Sequence, residues 1–459
     1  MRFVLTNAQR ECFGIEIVDS GWQMIELKKS TYDTYDSLAY IDGNKVRKLI
    51  QTGEAHYCEY TLSEELSEDR QWLLPKTAKG KPVKLSASAL AKRTAVGMAI
   101  RYEREYISVY HATTDQGYFR SASLEIIPKD ISDFAQWVQN WCEETTEQDL
   151  LDVQSFARRE RARRKYAEGD FFRLRLDRRY WIYGRILLNV AQMRKDKVAF
   201  WDLLPGQPLV VGIYHLLTDR PISDIGLIAD RPMLPSEALM DNIFYYGEAE
   251  IIGNRPLQRY EQDYPIHYDD SIRPGQHSVR LQYGRIYREV ENEHRLFRTD
   301  FKNGGGSFFP NVTLRILRSC IAAGSNLPYW TENRNYLEDD LRNPKYALQR
   351  RQVFEQFGLD METCYREDLT IEYRTVPQVM DNYVWPLIER EDILSPEGKR
   401  LGRHYIYCCP CGKGRIEEYS FLDNMVQKDR VHIDCVRCAV DYSVDKVRAG
   451  TWQLRSKCL

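Results

Sequence analysis

Along most of this chain apolar residues recur at every second position between turn signals, a period that predicts strands, and only a few stretches change to helical spacing. Leu38, Tyr40, Val46 and Ile50 flank an Asp42-Gly43 turn. A second turn at Thr52-Gly53 leads into His56-Tyr57-Cys58-Glu59-Tyr60, so a hairpin or meander is expected. A further strand pair is expected from Met98, Ile100 and Tyr102 before the charged turn Glu103-Arg104-Glu105, and Tyr106, Ile107, Val109 and Tyr110 after it. These strands define an α+β domain over residues 1–127. The period then changes: Ile131, Phe134, Trp137, Val138 and Trp141 fall on one helical face behind Asp130, an N-cap residue. Thr146 and Asp149 form a capping box that opens a second helix expected to run to about Lys165, with its acids early and its bases late, as the helix dipole favours. Residues 128–165 read as a helical connector.

Alternation returns from residue 166 to 298. Phe172, Leu174 and Leu176 alternate with Arg173, Arg175 and Asp177, and a turn near Arg178 leads into the run from Trp181 to Leu187, a half-buried hairpin. Further strands are expected at Leu209 to Tyr214, at Ile243 to Glu248, and at Val279, Leu281 and Tyr283, with Gly284 as a bulge. That number of strands with interspersed glycines predicts a strongly bent sheet or a small barrel. After a flexible connector at Asn303-Gly304-Gly305-Gly306, residues 307–398 read as mainly helical. Asn311 would cap a helix through Leu314, Leu317 and Ile321 that stops at Gly324, and Asn343-Pro344 would open another that ends at Gly358. Residues 399–459 form a zinc-ribbon-like module. The expected fold class is α+β and multi-domain, with a β-rich middle domain, flanking helices and a C-terminal zinc ribbon.

Composition adds boundaries to this picture. A chain of 459 residues suits roughly three domains, and its 65 Lys and Arg nearly balance 67 Asp and Glu, so no whole-molecule field steers it to nucleic acid or an anionic membrane. The first residues lack a secretory signal and no membrane-spanning run occurs, so a cytoplasmic location without membrane contact is expected. Five of the eleven cysteines crowd between Cys408 and Cys438, while Cys12, Cys58, Cys142, Cys320, Cys364 and Cys458 are scattered. That is metal-site usage, not a disulfide framework.

The crowded cysteines carry the strongest chemical signal. Cys408-Cys409-Pro410-Cys411-Gly412-Lys413-Gly414 is answered by Cys435-Val436-Arg437-Cys438, and four thiolates from two such knuckles satisfy tetrahedral zinc. Either Cys408 or Cys409 can pair with Cys411 at this stage. A set of reduced, non-ligating thiols is the plainer alternative. A zinc site made of cysteine alone has no position for water, so its role would be structural. Arg158, Arg159, Arg161, Arg163, Arg164 and Lys165 could make weak phosphate contacts, or simply complement a solvated helix end. His267 with Asp269 and Asp270 is the one His-acid cluster, and no nucleophile elbow, phosphate loop or dinucleotide fingerprint occurs, so no enzymatic activity is expected. Tyr180, Trp181 and Tyr183 could anchor a partner or belong to the core.

Glu168-Gly169-Asp170-Phe171-Phe172-Arg173-Leu174, followed by Tyr183-Gly184-Arg185-Ile186-Leu187, resembles the immunity protein 26 family of bacterial polymorphic toxin systems. Gly169, Asp170, Phe172, Tyr183, Gly184 and Arg185 carry the resemblance, and the later runs from Val210 to Tyr214 and from Tyr246 to Gly253 sit where that family carries strands. The resemblance spans residues 166 to 287 and implies a non-catalytic β domain that binds and neutralises a cognate protein toxin inside the producing cell. The other expectation is a nucleic-acid-associated defence or regulatory protein that uses the basic run and the zinc ribbon.

Overall fold

A computed structural model describes residues 3–29, 35–74, 80–103, 106–121, 127–197, 201, 206–258, 261–270, 278–291, 293, 295–297, 301, 307–332, 340–359, 379–381, 385–423, 426–448 and 450–457. Arg104-Glu105, the 303–306 connector, Cys364 and Cys458 lie outside the described residues. The chain is mixed α+β, and most of its regular secondary structure lies in antiparallel sheets.

The N-terminal sheet contains β1 (Gln23–Leu27), β2 (Asp36–Asp42), β3 (Lys45–Gly53), β4 (His56–Leu66), β5 (Trp72–Leu74), β6 (Val83–Lys84), β7 (Val96–Glu103), β8 (Tyr106–His111) and β9 (Gln116–Arg120). Its main path runs β1-β2-β3-β4-β7-β8-β9, with β5 paired to β4 and β6 to β5. The Asp42-Gly43 turn joins β2 to β3 as the alternation predicts, and Gly43 adopts φ +57°. Helices Ile131–Glu143 and Glu147–Ala157 cover one face. Phe134, Val138, Trp141, Val153 and Phe156 share a core with Tyr57, Ile100, Tyr102 and Phe119. Both helices start where their caps predict: Asp130 accepts from the Ser132 and Asp133 N–H groups, and Thr146 and Asp149 close a capping box.

The middle region has two open sheets. In the first, β10 (Asp170–Arg175), β11 (Trp181–Asn189), β12 (Pro208–Thr218), β13 (Glu237–Met240) and β14 (Glu250–Asn254) take the order β13-β12-β11-β10-β14. The second is a meander of β15 (Ile266–Asp270), β16 (Ser278–Tyr283) and β17 (Ile286–Glu291). Register shifts between Ile182 and Gly184, and between Ile186 and Leu188, bend the central strand, which matches the bent-sheet expectation, and no barrel closes among the described residues. Helices Leu314–Ala323 and Leu327–Glu332 pack Ile316, Leu317, Tyr329 and Trp330 on one face, against Phe172, Leu174, Ile182 and Ile186. Helix Ala347–Gln356 joins a core built from the meander and from Leu187, Val190 and Val210. At the C-terminus, β19 (Leu387–Leu394), β20 (Arg400–Cys408), β21 (Arg415–Asp423) and β22 (Val426–Asp434) form a meander. Beside it, β18 (Val379–Asp381) and β23 (Tyr442–Arg448) flank β24 (Thr451–Ser456).

Five local expectations are corrected. The second helix ends at Ala157, and residues 158–165 continue as a strap without regular secondary structure. Ile243 to Glu248 is not a strand, because its first residues belong to a short helix, Asn242–Tyr245, and β14 begins only at Glu250. Thr313, not Asn311, caps the helix that stops at Gly324, while Asn311 binds the buried Glu237 carboxylate through its backbone N–H (3.0 Å) and side chain (2.9 Å). Gly284 is the turn residue between β16 and β17, not a bulge. The hairpin of β10 and β11 is not half-buried: β11 is a central strand enclosed on both faces, with Ile182 and Ile186 on one and Trp181 and Tyr183 on the other.

The N-terminal sheet is docked on the middle region by ionic contacts. Glu248, nearly buried, receives Arg120 through both oxygens, and the Gly117 N–H donates to it at 2.8 Å. Arg178 reaches the Trp141 carbonyl (2.9 Å) and Glu144 (3.0 Å), and Arg179 pairs with Asp149 (2.7 Å). Breaking one member of such a buried pair costs about 3–5 kcal/mol, because the other charge is left without compensation. Glu248→Gln should therefore lower the urea midpoint of unfolding and speed proteolysis within the 158–165 strap. An unchanged midpoint would show that docking does not depend on this pair.

Candidate functional site

The crowded cysteines meet because of strand register. Cys408 lies opposite Arg415 in the β20–β21 pair, and Arg415 lies opposite Asp434 in the β21–β22 pair. The turn after β20 and the segment after β22 are thereby set side by side. Cys409 and Cys411 lie in the first, Cys435 N-caps the short helix Val436–Asp441, and Cys438 is within that helix. The four sulfurs lie within 4.8 Å of one another, with Cys409 to Cys411 at 3.4 Å and Cys411 to Cys435 at 3.6 Å. Thiolates at about 2.3 Å from a tetrahedral ion stand roughly 3.8 Å apart, so the cluster fits a metal ion with little movement. Gly414 makes the approach possible: a Cβ there would stand 2.5 Å from the Cys435 Cβ, and its N–H donates to the Cys409 sulfur at 3.1 Å. Burial disfavours the Cys409 thiolate, but hydrogen bonds from the Cys411 thiol and the Gly414 N–H outweigh it and hold its pKa below the usual thiol range. Cys408 lies outside the group of four, its thiol directed at the Cys409 carbonyl at 3.7 Å.

The Gly-Asp and Tyr-Gly-Arg residues converge on one place in the five-stranded sheet. Gly169 adopts φ +82°, and a Cβ there would stand 2.4 Å from the Arg255 carbonyl oxygen. That same oxygen accepts from Arg185 Nη2 at 2.6 Å, and Pro256 O accepts from it at 3.1 Å. The Arg185 guanidinium is fully buried, pairs with Glu261, and lies 4.3 Å above the Phe171 ring. Asp170 receives the Ala167 N–H and the Asn254 side-chain amide, each at 2.7 Å. Gly184 gives Phe172 its space, since a Cβ would stand 2.3 Å from the ring and 2.6 Å from the Gly212 carbonyl. Tyr183 donates to or accepts from Thr218 at 2.7 Å and receives the Ile222 N–H at 2.8 Å. All six residues are interior and architectural.

The remaining candidates separate. Trp181 and Tyr183 are core residues, and Tyr180 lies under the Arg318 guanidinium, so none of the three is a free aromatic anchor. His267 and Asp269 share one face of β15 while Asp270 takes the other; Asp269 pairs with Arg280 and Asp270 with Arg295 at 3.1 Å. The basic strap crosses the junction of the two regions. Arg159 bonds Gln116 (3.2 Å) and Glu250 (3.0 Å), Arg161 bonds Asp115 (3.0 Å) and covers Tyr246, and Arg163 covers Tyr245. A cleft of about 620 Å³ lies under the strap, lined by Arg159, Arg161, Arg164, Lys165 and Glu250. A second donor group, His56, Cys58 and Glu103, was missed on reading the sequence, although His-x-Cys on an alternating strand was a usable signal. Among the described residues no helix is long and apolar enough to cross a membrane.

The site thus belongs to a β scaffold held together by a buried arginine and accompanied by a cysteine cluster able to hold a metal ion. Residues 167–278 match the family model for Immunity protein 26, in agreement with the resemblance carried by the Gly-Asp and Tyr-Gly-Arg motifs. No curated protein and no solved structure matches the chain.

Two outcomes are expected. Arg185→Met leaves the buried Glu261 with Arg255 at 3.2 Å as its cation and the Gln258 N–H at 2.7 Å, and should cost about 3–5 kcal/mol in chemical denaturation; a smaller loss than 1 kcal/mol would remove Arg185 from its architectural role. Cys435→Ser should hold one metal ion fewer per chain by elemental analysis and lose cooperative unfolding of the C-terminal sheets, whereas equal metal content would dissolve the proposed cluster.

Proposed function

We propose that this chain is an immunity protein that binds a cognate protein toxin in the cytoplasm of the cell producing it and blocks it without chemistry of its own. The observation that carries this reading is the match of residues 167–278 to the Immunity protein 26 family, over the segment that contains the five-stranded sheet. The inward placement of the family residues adds a physical corollary. Gly169, Phe172, Tyr183, Gly184 and Arg185 preserve the scaffold, so a toxin meets other residues, on the surface that the scaffold displays. The arginine strap serves as a tether between the N-terminal sheet and this domain. We assign the Cys409, Cys411, Cys435 and Cys438 cluster to a structural zinc ion, since four thiolates suit zinc and leave no position for substrate or water.

The test is co-production of the chain with each toxin encoded beside its gene, scored by survival of the host, together with capture of the toxin on the tagged chain in a high-salt wash. Protection by the intact chain, with capture of the same toxin, is expected. Failure to protect against every neighbouring toxin, with the chain folded and abundant, would overturn the reading.

A further inference from the structure

On the N-terminal sheet, remote in sequence from the cysteine knuckles, three different metal-binding side chains share one face of a strand pair. His56 and Cys58 are two residues apart on β4, so both point the same way, and Glu103 on β7 lies directly opposite His56 in the antiparallel register. Their donor atoms fall within 4.8 Å of one another. His56 Nδ1 stands 3.7 Å from Glu103 Oε1, and the Cys58 thiol donates to the same oxygen at 3.7 Å. Nitrogen, oxygen and sulfur donors placed about 2.0–2.3 Å from a tetrahedral ion are separated by roughly 3.3–3.8 Å, so these spacings are already those of a ligand set.

Two further features organise the group. The Tyr35 ring stacks on the His56 imidazole at 4.4 Å with an interplanar angle of 13°, which restrains the ring plane. Cys58 is buried, His56 keeps 18% of its side-chain exposure and Glu103 keeps 45%, so the donors line a path from the interior to solvent. Arg101, opposite Cys58, is turned to the Tyr60 hydroxyl at 3.2 Å.

The geometry points to a second metal site, in which His56 Nδ1, the Cys58 thiolate and a Glu103 oxygen hold a divalent cation of borderline softness, zinc by preference, with one coordination position open to solvent. The cation takes the place of the thiol proton that now bridges Cys58 and Glu103. One nitrogen, one sulfur and one oxygen donor with a fourth position free is an open arrangement, unlike the closed set of four thiolates at the C-terminus. The open position would accept water or a donor from a bound partner.

The full-length chain, stripped with chelator under reducing conditions, is titrated with zinc and separately with cobalt(II). Two equivalents are expected for the unaltered chain and one each for His56→Ala and Cys58→Ser, while Glu103→Gln, which keeps the side-chain shape, should weaken the second equivalent by more than roughly 10-fold. Cys435→Ser should lose the other equivalent, with its several thiolate-to-cobalt bands, and retain the one assigned here, whose single-thiolate band disappears in Cys58→Ser. Thermal unfolding in chelator should be the same for Glu103→Gln and the unaltered chain, which separates lost binding from lost fold. Equal stoichiometry and affinity in the unaltered chain and Glu103→Gln, or a single equivalent that Cys435→Ser abolishes entirely, would overturn the assignment.

Discussion

A guanidinium that has no contact with solvent is tolerated only where carboxylates and carbonyls take up most of its N–H groups, and Arg185, whose two Nη atoms are so paired while its Nε is not, imposes that condition on the whole middle region. It sits on the central strand of the sheet, so its partners must be brought to it. Glu261, 76 positions further along the chain, and the carbonyls of Arg255 and Pro256 must fold back over β10 and β11. The return passes so close that only glycine fits at 169, where the Arg255 carbonyl would collide with a Cβ. Asp170 then holds the neighbouring Asn254 side chain, and the Arg255 N–H donates to Gly169 O at 3.2 Å. Two motifs that look independent along the sequence are thus two halves of one closure.

The same device recurs elsewhere. In the N-terminal sheet the buried Glu59 receives Arg10 (2.7 Å), the Tyr57 hydroxyl (2.7 Å) and Lys48 (3.1 Å), which ties the short helix Asn7–Cys12 to the centre of the sheet. Farther along, Arg342 joins Asp340 (2.7 Å), Asp263 (3.1 Å) and Ser236 (3.1 Å), binding the helical segment to the end of β13. Such clusters contribute less to net stability than apolar packing of equal volume, because desolvation offsets much of their attraction. Their cost when incomplete is high, so they select one arrangement of the connected segments over others.

What could be read from the sequence follows from range. Turn residues and caps act within four positions, so the Asp42-Gly43 turn, the Asp130 cap and the Thr146 box were legible, as was the cysteine spacing that brings the knuckles together. Ile243-Phe244-Tyr245-Tyr246 was not, because a short apolar run has no period long enough to distinguish strand from helix. Alternation on β10 suggested a half-buried hairpin, but β11 receives helices on one face and the Phe171, Tyr214 and Met233 cluster on the other. The strap from 158 to 165 looked like a helix end because its charge suited a dipole; apart from Arg159 over the nearby Phe156 ring, its guanidiniums find rings and carboxylates at least 40 residues away. The choice between Cys408 and Cys409 rested on the pleat of β20, which carries the Cys408 thiol away from the other sulfurs.

Burial of the Gly-Asp and Tyr-Gly-Arg residues bears on which parts of this fold can vary. Interior positions tolerate little change, since a lost partner or an added methyl costs several kcal/mol, whereas surface positions away from caps and ion pairs usually shift stability by no more than about 0.5 kcal/mol. A fold secured from within by Gly169, Gly184 and Arg185 therefore leaves its exterior free to alter without losing the scaffold. On the proposed immunity reading, that separation would let the exposed residues change with the partner while the interior keeps the shape. The ionic docking of the N-terminal sheet extends the argument, because it enlarges the exterior without placing any new demand on the closure around Arg185.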